Sequence, residues 1–78
     1  MIGIIDYGVG NLFSLQASCK AVGQDVFVSG DGAELQKADR LILPGVGAFP
    51  DAVKKLNDTG MADFVREQAA KGTPLLGI

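Results

Sequence analysis

The chain has 78 residues, 47% hydrophobic and 21% charged, with a formal net charge of −2. That balance excludes a disordered tail and lacks the basic excess of a nucleic-acid module. A single cysteine builds no disulfide framework, which points to a reducing cytoplasm, and no run approaches the roughly 18 apolar residues of a membrane span. The outlier is glycine, at 11 residues without a collagen period. The glycines cluster where turns or a ligand need them.

Ile2 to Ile5 is a short β-branched run closed by Asp6, the pattern of a strand buried in a parallel sheet. Tyr7 to Gly10 is a turn, and Asn11 suits the cap of the helix that follows. Leu12, Leu15, Cys19 and Val22 recur at three- and four-residue spacings, which predicts a helix with these four on its core face. Gly23 stands where a helix end wants a left-handed residue. Asp25 to Ser29 is a second strand, Ser29 to Gly32 a loop, and Ala33 to Ala38 one or two helical turns. Arg40 to Leu43 is a third strand, ended by Pro44 and a loop through Phe49. Pro50 fits a first helical position and Asp51 the first turn, with Val53 and Leu56 as the apolar residues of that helix until Asn57 to Gly60 break it. Met61, Phe64, Val65 and Ala69 form the next apolar stripe, stopped by Lys71 and Gly72. Leu75 to Ile78 is a fourth strand.

Strands alternating with helices imply a parallel sheet with right-handed crossovers. The expected fold is an open, doubly wound, flavodoxin-like α/β sheet of strand order 2-1-3-4, switching direction between strands 1 and 3. Ending on a strand, the chain is expected to be the N-terminal part of one longer domain.

Ligands of such sheets bind beyond the carboxyl ends of the strands, near the switch point. The loops Tyr7 to Asn11 and Pro44 to Phe49 converge there. Glycines in the first are expected to serve a tight turn. In Pro44-Gly45-Val46-Gly47 they expose backbone N–H groups, which suits stabilisation of a developing oxyanion. Gly8 and Gly10 hint at a dinucleotide fingerprint, but Phe13 stands where the third glycine belongs, and Asp31 sits in a turn. No Gly-Lys-Ser/Thr run exists, so a phosphate-binding P-loop is excluded. Cys19 has core-like neighbours and reads as a structural thiol. Without histidine, these residues assemble no Cys/His or Ser/His/Asp set. Neither a metal nor a cofactor is expected.

Ile4-Ile5-Asp6-Tyr7-Gly8-Val9-Gly10-Asn11-Leu12, Leu43-Pro44-Gly45-Val46-Gly47-Ala48-Phe49 and Pro74-Leu75-Leu76-Gly77-Ile78, at their spacing, resemble the glutamine amidotransferase subunit of imidazole glycerol phosphate synthase. The resemblance runs the length of the chain. It implies a class I glutaminase that hydrolyses glutamine through a Cys-His-Glu triad and passes ammonia through a tunnel to a (β/α)8-barrel cyclase. The products are imidazole glycerol phosphate and an aminoimidazole carboxamide ribotide, in histidine biosynthesis. In the family the nucleophile sits in a Gly-x-Cys-x-Gly elbow, and Gly77-Ile78 looks like its first half. Residues 1–78 are then the part just before that elbow, with no triad member and no activity alone. Gly45, Val46 and Gly47 take the oxyanion role, and Asn11 with Gly10 the face toward the cyclase, whether or not Asn11 also caps its helix. The rivals are a class I glutaminase serving another synthase, and a non-enzymatic flavodoxin-like binding module. A receiver-type module wants clustered acidic residues at the end of strand 1, where this chain offers Asp6 alone.

Overall fold

Four short β-branched and leucine-rich runs pair side by side because each is apolar on both faces. In the computed structural model, which describes residues 1–46 and 50–78, β1 (Ile2–Ile5), β2 (Val26–Ser29), β3 (Arg40–Leu43) and β4 (Leu75–Gly77) form one sheet of order β2-β1-β3-β4. Every pairing is parallel. Ile4 faces Val28 on one side and Ile42 on the other, and Ile42 in turn faces Leu76. The helices are α1 (Leu12–Ala21), α2 (Gly32–Leu35), α3 (Ala52–Asp58) and α4 (Met61–Ala70). The expected flavodoxin-like α/β architecture and strand order are those observed.

Hydrogen-bonding side chains open the first two helices. Asn11 Oδ1 accepts from the Ser14 N–H at 3.1 Å, and Asp31 Oδ1 from the Ala33 N–H at 3.0 Å. Each takes up an otherwise orphaned donor, a cap typically worth about 1 kcal/mol. Asp31 is thus the cap of α2. Both long helices close with paired backbone bonds: Gln24 N–H to Cys19 carbonyl with Gly23 N–H to Lys20 carbonyl, and Thr73 N–H to Gln68 carbonyl with Gly72 N–H to Ala69 carbonyl. This double closure satisfies carbonyls that the helix leaves open.

The core lies on one side of the sheet. Ile5, Leu41 and Leu43 meet Leu35 of α2, Ala52 of α3, and Met61 and Phe64 of α4, with Tyr7 and Val9 from the loop after β1. Ile4, Ile5, Leu35 and Leu41 are fully buried, each contributing about 1.5–3 kcal/mol of hydrophobic stabilisation.

The helix faces differ from the expected stripes. No residue of α1 is buried: Leu12, Leu15 and Cys19 are half-buried, and Val22, the C-cap, is 73% exposed. The cause is layering. Three helices share the core side, whereas α1 packs on the opposite side, against β2, and covers its stripe only in part. Cys19 is therefore a half-buried thiol rather than a core one. We expect Cys19→Ala to cost about 1 kcal/mol or less, read from a thermal midpoint against the parent. In α3, Val53 is 65% exposed and Ala52 takes the buried position, because the helix begins after Asp51 rather than at Pro50. In α4, Met61 and Phe64 are buried as expected, but Gln68 is buried where Ala69 was expected. Gln68 Oε1 accepts from the Thr73 hydroxyl at 3.3 Å, and its Nε2 has no partner among the described residues.

The chain start is pinned by the Met1 ammonium, 2.7 Å from the Asp39 carboxylate. That contact holds the Asp39 carboxyl below its ordinary value. Both groups are solvent-exposed, where such pairs contribute little.

Candidate functional site at the carboxyl ends of the strands

In a parallel sheet the carboxyl ends of all strands gather on one edge, and the loops leaving a switch point diverge to leave a crevice. Here the loop after β1, the loop after β3 and the end of β4 surround a hollow of ≈ 270 Å³, lined by Gly10, Asn11, Ser14, Leu15, Pro44, Gly45 and Ile78. A hollow of the same volume lies at the amino ends, against Ile2, Arg40, Pro74 and Leu76. Only the first collects turn peptides beside a switch point, so we assign the site there.

The loop after β1 is held from within. Asp6 Oδ1 accepts from the Gly8 N–H at 3.3 Å, and the Lys55 ammonium of α3 reaches the Gly8 carbonyl at 3.4 Å. Tyr7 is 3% exposed, and its hydroxyl donates to the Pro44 carbonyl at 2.5 Å. Burial pushes the Tyr7 phenol above its ordinary value, so at neutral pH it stays protonated and donates. Gly10 has φ +98, and a Cβ built there stands 2.8 Å from Pro44 Cβ. The two loops thus touch through a buried hydroxyl, a proline ring and a bare glycine backbone.

The loop after β3 departs from the sheet by a one-residue slip. The Ile78 N–H donates to the Leu43 carbonyl at 3.0 Å, as a continuing parallel ladder requires. The Ile78 carbonyl would then take the Gly45 N–H in a regular ladder. It takes the Val46 N–H instead, at 3.0 Å. Gly45 has φ +78, a conformation that costs a side-chain-bearing residue strain, and the turn there brings the Val46 N–H to the Ile78 carbonyl.

Of the residues expected to form the oxyanion site, Gly45 lines this hollow and Val46 bonds to Ile78, just past the end of β4. Gly47 lies outside the described residues. Gly10 and Asn11 line the hollow, and the Asn11 side chain caps α1. Sequence reasoning places Tyr7 in a loop that converges on the site but gives its side chain no role of its own. The available signal was an aromatic ring with a polar end inside a glycine-rich turn, since a buried phenol needs a partner. Among the described residues no group of three or more His, Cys, Asp or Glu side chains is placed to hold a metal, and no helix is long and apolar enough to cross a membrane.

The parallel sheet of order β2-β1-β3-β4, with a crevice at its switch point, is of the flavodoxin-like type. The chain is 55% identical over all 78 residues to the imidazole glycerol phosphate synthase subunit HisH of Geobacillus kaustophilus, covering 37% of that protein. It is 53% identical over 78 residues to the HisH subunit of Caldanaerobacter subterraneus and 51% over 77 residues to that of Lactococcus lactis, covering 38% of each. No family model matches the chain. Over its whole length the chain is similar to these HisH subunits of imidazole glycerol phosphate synthase, matching their N-terminal part. It spans a little over a third of the length of these relatives.

Proposed function

We propose that these residues form the N-terminal part of the glutaminase subunit of an imidazole glycerol phosphate synthase. The subunit hydrolyses glutamine in the cytoplasm and channels ammonia to a (β/α)8-barrel cyclase, with which it forms a heterodimer. The cyclase uses that ammonia to make imidazole glycerol phosphate and an aminoimidazole carboxamide ribotide in histidine biosynthesis. The observation that carries this reading is kinship with HisH over all 78 residues at about half identity, together with a peptide-lined crevice at the switch point.

Amide hydrolysis through an acyl-enzyme needs a nucleophile, a base to take its proton and donors for the tetrahedral oxygen. In this reading the nucleophile lies on the turn after β4, with Gly45, Val46 and Gly47 beside it as the oxyanion strand. The base and the acid that orients it come from the remaining length of the subunit, since residues 1–78 hold no histidine and their cysteine lies on α1. Gly10 and Asn11 face the cyclase. The donors act mainly in the transition state, where the oxygen carries its charge.

A glutamate-release assay decides the matter. The full-length subunit with its cyclase is expected to turn over glutamine, and residues 1–78 with the same partner to show none. Comparable turnover by both, or none from the full-length pair, overturns the assignment.

A further inference from the structure

The buried contact between Tyr7 and Pro44 is not accounted for by fold stability alone. The phenol holds the carbonyl at the first residue of the loop after β3. That carbonyl belongs to the same rigid plane as the Gly45 N–H, and in a trans peptide the two point to opposite sides. Pro44 is itself fully buried, and Gly10 lies against its ring with no side chain between. Ring, carbonyl and peptide plane are therefore gripped from one side, while the next residue, Gly45, carries the left-handed turn that slips the ladder.

We propose that Tyr7 is a positioning residue for the reaction: by donating to the Pro44 carbonyl it fixes the Pro44–Gly45 peptide and thereby the direction in which the loop presents its Gly45 and Val46 N–H groups. The proposal rests on the glutaminase reading above and adds a residue to its machinery. Tyr7 touches neither substrate nor nucleophile. It acts through the peptide plane, so its loss leaves glutamine bound and misdirects the donors when the tetrahedral oxygen forms. A misplacement of about 1 Å of such groups costs up to about 10²-fold in rate.

The test uses the full-length subunit with its cyclase. Tyr7→Phe keeps the buried ring and removes the hydroxyl. We expect kcat for glutamine to fall about 10–100-fold with KM within about twofold of the parent, the signature of an interaction realised in the transition state. Placing 4-aminophenylalanine at position 7 restores an N–H donor at the same point and is expected to recover most of the rate. A role in packing alone predicts no loss in Tyr7→Phe and no recovery. Backbone amide exchange supplies a readout independent of the substrate. Exchange at Gly45 and Val46 is expected to quicken in Tyr7→Phe while Ile4 and Ile5 stay as protected as in the parent. Parental kcat in folded Tyr7→Phe, or unchanged exchange at both loop amides, overturns the proposal. A Tyr7→Phe that fails to fold, with no folded and active 4-aminophenylalanine form, overturns it as well, because the residue is then structural. A parent pair without glutaminase activity overturns the functional reading instead, and with it the kinetic half of this proposal.

Discussion

Val46→Pro in the full-length subunit is expected to lower glutamine turnover by about 10²–10³-fold, the usual cost of removing one oxyanion donor. Glutamine binding changes far less, because the lost interaction belongs to the transition state. Proline has no N–H, so the substitution deletes the donor outright. In the structure this N–H donates to the Ile78 carbonyl at 3.0 Å. In the proposed reaction it would exchange that neutral acceptor for an oxyanion, which is favourable because hydrogen bonds to charged acceptors are roughly twice as strong. The substitution also removes the ladder bond itself, a stability loss of about 1 kcal/mol. Melting curves, a glutamine titration and kinetics on the same sample separate the two effects. Near-parental turnover by folded Val46→Pro with the cyclase bound removes Val46 from the mechanism.

The largest expected effect on stability is at Gly10. Its φ of +98 places an alanine in backbone territory that costs about 1–2 kcal/mol. Its new Cβ meets Pro44 Cβ at 2.8 Å, an overlap whose relief typically costs a further 1–3 kcal/mol or so. The proline ring has no rotamer by which to yield, and its carbonyl is tied to Tyr7. Gly10→Ala is therefore expected to destabilise by about 2–5 kcal/mol. Gly23→Ala is the control: φ there is +80, with no heavy atom within 4 Å of the built Cβ, so only the backbone cost of about 1–2 kcal/mol applies. Equal shifts in denaturation midpoint for the two variants would show that the contact with Pro44 carries no energy.

The sheet was legible because strands in a parallel sheet announce themselves locally. Ile2 to Ile5 and Arg40 to Leu43 are short apolar runs bounded by Asp6 and Pro44, and alternation with helices leaves few topologies. The helix faces were less legible. Spacing alone picked Val22, Val53 and Ala69, but burial depends on what lies opposite, and only one side of this sheet is covered by three helices. At Gln68 tertiary packing overrode polarity, as the amide is buried beside Thr73.

The site divides in the same way. The glycines after β3 are singled out in the sequence as peptide donors for the proposed reaction, because an unhindered backbone N–H is a local property. Tyr7 did not, because its partner Pro44 is 37 positions away and only the β1–β3 pairing brings them together. Sequence alone reads Gly10 as a turn glycine on a face turned toward a partner, and its contact with Pro44 appears only once the two loops are neighbours.

Parallel polarity also gives the molecule a practical asymmetry. The first residue sits at the amino ends of the strands, where its ammonium meets Asp39 and its carbonyl accepts the Asp39 N–H at 2.9 Å. The crevice built by Gly10, Pro44 and Gly45 lies at the other end of the same strands. A fluorophore, affinity tag or surface anchor attached at the amino terminus is thus held a full strand length from the chemistry. The local cost among the described residues is a solvent-exposed ion pair, so a group placed there leaves the crevice edge open.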